Sequence, residues 1–591
     1  MRLTIALILL AMAPVLRSQD DVLLRAMRDE LKRSMTLKVP GLENPYYIEY
    51  ALDEGNSYSA AATLGGLISS EHSRFRVPRV RVRVGSYDFD STNYVASNFQ
   101  FGSRYDIDRF PLDASYSVLR RYLWLATDQS YKSALQAISR KRAALKSIST
   151  IDPLPDFSKA ESSRIIHDVR PVKISFDSWL ARTRDLSGIF ANYPKLKNSS
   201  VEISITDQDH YFVNSEGSEQ RIPSMLGLVR IRASGQAADG MSVRDSAVFQ
   251  SHDIGLLQSE AEMQRVAKNI GGNVTALAQA PAGETWTGPV LFEGAASAQV
   301  FAQLIGENLA LTRKPVMEPG RPGSIPISEL EGRQGARILP ETFEIVDDPT
   351  QTEWRGRPLF GHYEVDDEGV VPKPLAIVEK GVLKNFLLTR QPMRGFGSSN
   401  GRARLPGNFG ANTAVASNLF VRSTEATPLV DIRKKLMEIC RQRNKPYGMI
   451  VRKLDFPSSA SVDEVRRILS EAGQGSGARS ISPPLLVYRV YLDGREELVR
   501  GLRFRGFNAR SLKDILAVGD DENVFEYLEN GVPFALMGAG SSMAESTVVA
   551  PSILVDDLEL LKIEDEQPKL PIVPPPTTVS KAAPPQNQPE R

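Results

Sequence analysis

Cysteine is almost missing from this chain. Cys440 stands alone among 591 residues, which excludes an intramolecular disulfide framework and every Cys-rich zinc or iron–sulfur cluster. Histidine is nearly as scarce: His72, His167, His210, His252 and His362 lie far apart in sequence, none with a second histidine at helical ligand spacing, so a metal site would be poorly supplied. No sign of charge dominates either. With 72 Lys and Arg against 71 Asp and Glu the net charge is +1, and no global field draws the chain to nucleic acid or anionic lipid. The sequence has no P-loop, no dinucleotide fingerprint in strand-turn-helix context and no Gly-x-Ser-x-Gly elbow. The nearest thing to a nucleophile loop, Gly538-Ala539-Gly540-Ser541-Ser542, has no histidine tied to it by a local signature and reads as a plain turn. What the chain does have is 41% hydrophobic and 24% charged residues, the balance of a folded globular protein. Its length predicts about three to five compact units, or fewer large β-rich ones.

The first 19 residues pair a charged start, Met1-Arg2, with an apolar run from Leu3 to Leu16 broken only by Thr4. That pattern reads as a secretory signal peptide, and the run is short of the roughly 20 residues that span a bilayer. The expectation is an exported protein, periplasmic or extracellular, with no membrane span after signal removal. Residues 20–37 place Leu24, Met27, Leu31 and Met35 at helical spacing. Strand-like segments follow at 46–52 and 76–84, where Arg79, Arg81 and Arg83 alternate with valines and so share one face. An anion-binding ribbon is one reading of that face; a half-buried strand with a solvated basic side is the preferred one. Residues 117–148 read as a helix whose Arg140-Lys141-Arg142 is again a solvated face. Strands return at 201–205 and 227–233, with turn-like residues at 207–210 and 214–217. A helix over 258–270 then leads through Gly271-Gly272 to a second large unit of short strands with helices at 429–443 and 462–472 and a Gly-rich turn at 473–477. These signals divide the chain into 20–150, 151–283 and 284–565, followed by a Pro-rich tail over 566–591 that cannot bury enough surface to fold.

The informative stretches lie in the second unit. They are the acidic turn Asp366-Asp367-Glu368-Gly369, the hairpin Lys380-Gly381-Val382-Leu383-Lys384, the loop Asn400-Gly401-Arg402-Ala403-Arg404, and the closing segment Pro551-Ser552-Ile553-Leu554-Val555. In this order and spacing they resemble the TldD/PmbA family of metallopeptidase-related proteins, from about residue 288 to 563. The resemblance implies an α+β fold, an N-terminal α/β region followed by a C-terminal β-rich domain with a strongly curved sheet. It also implies extended peptides as ligands, with Asp366, Asp367, Glu368, Asn400, Arg402 and Arg404 on loops that could line a peptide cleft.

Motif-bearing members of that family carry His-Glu-x-x-x-His, with a downstream Cys-Gly-x-Gly. The imidazoles and thiolate hold a metal and the glutamate activates water. Here Phe292-Glu293-Gly294-Ala295-Ala296-Ser297 and Met537-Gly538-Ala539-Gly540 occupy those places. Glu293 remains, but Phe292, Ser297 and Met537 replace all three ligands, and Cys440 matches no motif. Glu293 is expected at a helix start, with the small residues after it marking a closely packed helix. The resemblance therefore points to the PmbA-like half of the family: no cofactor, and a non-catalytic subunit of a peptide-degrading assembly, either a homodimer or a heterodimer with a motif-bearing member. An active metallopeptidase with non-standard ligands, and then zinc, is the alternative, which leaves open whether the chain is itself an enzyme. Nucleic-acid binding fits poorly with neutral charge and the absence of interleaved aromatic motifs.

Overall fold

The computed structural model describes residues 21–95, 110–113, 115–146, 154–169, 174–317, 327–406, 411–458, 481–530 and 543–563. The expected leader over 1–19, the helix over 462–472, the turn over 473–477, Met537 with its loop and the tail over 566–591 lie outside these residues.

The N-terminal half consists of α1 (Val22–Ser34), β1 (Pro45–Thr63), β2 (Gly66–Val84), α2 (Tyr116–Leu145), β3 (Arg164–Ile166), α3 (Phe176–Gly188), β4 (Leu196–Asn214), β5 (Glu219–Gln236), β6 (Ser242–Ser251) and α4 (Glu260–Gln279). Asp21 starts α1 by accepting hydrogen bonds from the backbone N–H groups of Leu23 and Leu24 at 2.9 and 3.1 Å, an N-cap that satisfies first-turn donors. The strands form one sheet in the order β2-β1-β4-β5, with β3 and β6 both on β5. β1 pairs with β4 from Glu49 opposite Asn214 to Ala62 opposite Val201. One sheet thus runs across the boundary expected at residue 150. One face is apolar at both ends: Ile48, Tyr50, Leu52, Val82 and Val84 pack under α1 and α2, and Ala60, Ile203, Ile205, Val229 and Ile231 pack under α3 and α4.

Several sequence readings are corrected here. Residues 207–210 are not a turn but the middle of β4, paired on both sides; Asp207 and Asp209 share the face of Ile205 and Tyr211 between the two helix-covered clusters, while His210 faces the other side and meets Asp53. The helix read at 258–270 does not stop at Gly271-Gly272 but continues to Gln279. A Cβ on Gly271 would sit 2.7 Å from the Tyr193 ring, so the glycine marks close packing rather than a helix end. Lys141 is not solvated: it is 2% exposed, and its Nζ donates to Asp156 Oδ2 at 2.5 Å and to the carbonyls of Asp90 and Thr92. The arginine face of β2 is engaged more than solvated, Arg79 and Arg81 keeping 27% and 26% of their side chains exposed and Arg83 only 5%. Arg83 donates to Asp90 at 2.9 Å and lies 3.7 Å from the centre of the Phe157 ring, Arg81 donates to Asn412 at 2.6 Å, and Arg79 lies between Asp53 and Asp367 at 3.6 and 3.9 Å. The face opposite the helices is where the C-terminal domain docks.

That domain contains β7 (Trp286–Phe292), α5 (Ala295–Leu304), β8 (Phe343–Asp347), β9 (Leu375–Glu379), β10 (Val382–Leu383), β11 (Asn418–Ser423), α6 (Leu429–Gln442), β12 (Tyr447–Leu454), β13 (Pro484–Tyr491), β14 (Glu496–Val499), β15 (Leu502–Arg505), β16 (Ile515–Asn530) and β17 (Met543–Lys562). Its sheet is open and runs β10-β9-β8-β11-β17-β7-β12-β13-β14, with β15 and β16 added on β17. The molecule is α+β with a β-rich C-terminal region. Both faces of β7 are covered: Val290 and Phe292 join the core around α5, while Leu291 joins Ile432, Leu436 and Cys440 under α6. This two-sided burial accounts for a continuous apolar run rather than an alternating one. No helix among the described residues is long and apolar enough to cross a membrane.

Candidate functional site

The β7–α5 junction carries the degenerate ligand positions. Phe292, fully buried between β12 and β17, stacks on Phe507 with centroids 5.4 Å apart. Gly294 precedes α5, and the following Ala295, Ala296, Ser297 and Ala298 bring that helix close to β17 and β12. The Ser297 hydroxyl is spent on the carbonyl of Pro551 at 2.5 Å.

Glu293 lies one residue before the helix cap, and its carboxylate points at two arginines instead of the helix end. Arg433 from α6 donates Nε and Nη2 to its two oxygens at 2.6 and 2.7 Å, and Arg452 from β12 donates Nε at 3.2 Å. Glu496 on β14 closes the ring, 2.8 Å from Arg452 and 3.5 Å from Arg433. The bidentate bond to Glu293 holds the Arg433 guanidinium above its usual range, as expected for a charge-assisted fork.

A zinc ion of the motif-bearing type does not fit these residues. Phenylalanine cannot coordinate, the serine oxygen already donates elsewhere, and the glutamate is neutralised by two guanidinium groups that would repel a dication. Among the described residues no group of three or more His, Cys, Asp or Glu is placed to hold a metal. Burial pushes the Cys440 thiol up to about 11, so it stays protonated and unreactive. The histidines are engaged separately: His72 stacks on Tyr58, His167 meets Glu364, His210 meets Asp53, and His252 and His362 meet the carbonyls of Phe360 and Pro349.

The second group of sequence-identified residues is brought together at the domain junction. Asp366 accepts from the backbone N–H groups of Glu368, Val370 and Ala403 at 3.0, 2.8 and 3.0 Å. Glu368 accepts from Arg390 N at 2.6 Å. Gly369, at φ 82°, lies so close to β4 that a Cβ would sit 3.1 Å from the Phe212 ring, and its carbonyl accepts from Ser163 at 2.9 Å. The loop residues act as braces. Asn400 accepts from Leu388 N and donates to Phe386 O, both at 2.8 Å. Arg402 is 1% exposed and donates to Asp347 Oδ1, Asp347 O and Lys373 O. Arg404 pairs with Glu545 at 2.6 Å over the Tyr363 ring. The expectation of a ligand-lining Arg402 is therefore corrected: its guanidinium is enclosed by protein carbonyls and Asp347. Asp367 is the more open member of the turn, its side chain 28% exposed.

Three residues at these sites escaped the sequence reading. Arg433 sits on the polar side of the amphipathic α6 and Arg452 near the end of the largely buried β12, and no local signal marks either as a partner of Glu293. Arg390 follows the apolar stretch Phe386-Leu387-Leu388, and a charge there is the one available hint. It is fully buried, donates to Ser158 O and to Glu216 at 2.7 Å, and stacks over Phe157 at 4.0 Å.

Fold and site together define an α+β protein whose β-rich C-terminal domain carries an arginine-paired glutamate at its β7–α5 junction. The family model of the PmbA/TldA metallopeptidase C-terminal domain matches residues 287–441. A metalloprotease of Archaeoglobus fulgidus is 41% identical over 78 residues, which is 13% of this chain and 17% of that protein's length. The fold is shared with TldE from Thermococcus kodakarensis, with a TM-score of 0.53 at 14% identity over 91% of this chain and 100% of that one. It is shared as well with a candidate modulator of a DNA gyrase from Thermotoga maritima, with a TM-score of 0.53 at 15% identity over 87% and 96%. Residues 287–441 thus carry the PmbA/TldA-type C-terminal domain, and the fold of the chain is similar to that of TldE.

Proposed function

We propose that this chain is an exported, metal-free and non-catalytic subunit of a TldD/PmbA-type peptide-degrading assembly. One observation carries the reading: Glu293, at the position of the water-activating glutamate, is clamped by Arg433 and Arg452. Both oxygens of this carboxylate already accept from guanidinium groups, so it is turned to the arginines and not to a substrate water. The arginines occupy the electrostatic place that a metal ion would take, so the junction keeps its shape without one. The likeness of fold to TldE supports a subunit role. The assembly is a homodimer or a heterodimer with a family member that carries His-Glu-x-x-x-His, and it holds extended peptide by strand addition. Export rests on Met1-Arg2 and the apolar run behind it.

Elemental analysis of the native protein, purified alone and with any co-purifying chain, tests this reading, and intact mass of the same sample reads whether residues 1–19 are gone. The expected result is no stoichiometric zinc and no peptide cleavage by the chain alone. About one tightly held zinc per chain, with cleavage abolished by a chelator, would make it an active metallopeptidase instead.

A further inference from the structure

The seam between the N-terminal sheet and the C-terminal domain contains more acid than base. From the sheet come Glu49 and Asp53 on β1, and Glu216 from the β4–β5 turn; from the C-terminal domain come Asp366, Asp367 and Glu368. Facing them are Arg79 and Arg81 on β2, His210 on β4, and Arg390. The bases are already allocated. Arg81 meets Glu49 at 3.1 Å, where Tyr47 also donates at 2.8 Å. Arg79 lies 3.6 Å from Asp53 and 3.9 Å from Asp367. His210 is bonded to Asp53 at 2.6 Å, and Arg390 to Glu216 at 2.7 Å. Arg404, on the other side of the turn, is held by Glu545, and the neighbouring Tyr363 donates to Gly401 O.

Asp366 and Glu368 are left over. They are 3% and 2% exposed, and neither has an Arg, Lys or His within ion-pair distance among the described residues. Their stabilisation is four backbone N–H groups in total. Two neighbouring buried carboxylates with no counter-ion in contact, Glu368 feeling Arg390 and Arg81 only at longer range, are disfavoured as a pair of charges. Burial first, and then Glu368, raises Asp366 well above the ordinary carboxylate range, and burial raises Glu368. The turn that carries them is pressed on the sheet through Gly369 against Phe212 and Ser163, so undocking would return both groups to water.

We propose that docking of the N-terminal sheet on the C-terminal domain takes up a proton at the Asp366/Glu368 pair, making the seam a pH-sensitive joint that loosens as the solution becomes more alkaline. The sign follows from linkage. A carboxyl group whose pKa is raised in the docked state binds its proton more tightly there, so opening grows with pH, by up to about tenfold per pH unit for one proton between the free and docked pKa values. His210 also faces this seam, bonded to Asp53 at 2.6 Å, so the distinguishing change belongs on the turn. Glu368→Gln removes the charge and keeps an acceptor for Arg390 N.

Hydrogen exchange of the full chain between pH 5 and 9, corrected for intrinsic base catalysis, reads opening at 45–55, 76–84 and 366–370, with 286–292 as internal reference. The wild type is expected to open at least about tenfold more at pH 9 than at pH 5 in the seam segments, while Glu368→Gln shows a smaller rise because only the Asp366 proton remains. A wild type without pH dependence overturns the proposal, as does a variant that keeps the wild-type slope. If Glu368→Gln does not fold, Asp366→Asn takes its place with the same two readings.

Discussion

At the scale of single residues, this protein places ionisable groups where burial and neighbours decide their charge. Asp209, in the middle of β4, is the clearest case outside the seam: burial, then the negative charges of Asp207 and Glu54, push its carboxyl up to about 6. A raised carboxyl pKa means that the folded chain holds the proton more tightly than the unfolded one. Stability is therefore present in full below the ordinary carboxylate range and falls as pH rises to about 6. Asp209→Asn removes that loss. Because the group is only partly buried, the gain should be discounted to about 1 kcal/mol at pH 8 and vanish near pH 4. Urea midpoints of both proteins at the two pH values check it; an equal difference at both would assign the effect to packing instead. Glu293 illustrates the opposite arrangement, an acid paired with two cations. Whether an acid is paired or stranded cannot be read from the residue itself, since Glu293 and Glu368 look alike in sequence.

At the scale of elements, α4 shows how a glycine pair can deceive. Gly271 and Gly272 share one helix, yet a Cβ on the first would meet Tyr193 at 2.7 Å and one on the second meets nothing within 4 Å. Gly271→Ala should destabilise by roughly 1–3 kcal/mol through overpacking. Gly272→Ala should stabilise by about 0.5–1 kcal/mol through helix propensity. Thermal unfolding of the two variants separates them, and stabilisation by both would mean that Tyr193 moves aside freely. The helices at 117–148 and 429–443 were legible because their apolar stripes have the helical period, and the observed α2 and α6 follow them closely. The β1–β2 hairpin was legible only at its buried ends. Between residues 55 and 75 its side chains are mostly exposed or half-buried, so no alternation is written there, and the two-residue turn at Leu64-Gly65, with φ of 50° and 86°, carries only one glycine as a signal.

At the scale of the molecule, the sheet shared by residues on both sides of position 150 makes the N-terminal half one folding unit. β4 pairs with β1 over 14 residue pairs, and without β1 it would become a long open edge. A fragment of residues 151–283 is therefore expected to lack cooperative unfolding, whereas 20–283 should show a single transition. Calorimetry of both fragments tests this, and an independent transition for 151–283 would restore a boundary at 150.

The sequence by itself determined what depends on neighbours along the chain: the α+β character, the long amphipathic helices, and the order of turn, hairpin, loop and closing strand that resembles the TldD/PmbA domain. It also determined that Phe292 offers a metal no donor atom, because an absent donor stays absent in any fold, whereas the engagement of the Ser297 hydroxyl by Pro551 O is tertiary. Tertiary structure decided the charges. Arg433 and Arg452 come to Glu293 from 140 and 159 residues away, Arg390 reaches Ser158 across 232 residues, and Arg79 and Arg81 of β2 reach Asp367 and Asn412 of the other domain. Alternation fixes which side of a strand a residue occupies, but what covers that side is set by contacts between segments far apart in sequence, and Coulomb energies depend on those distances and on the water they exclude.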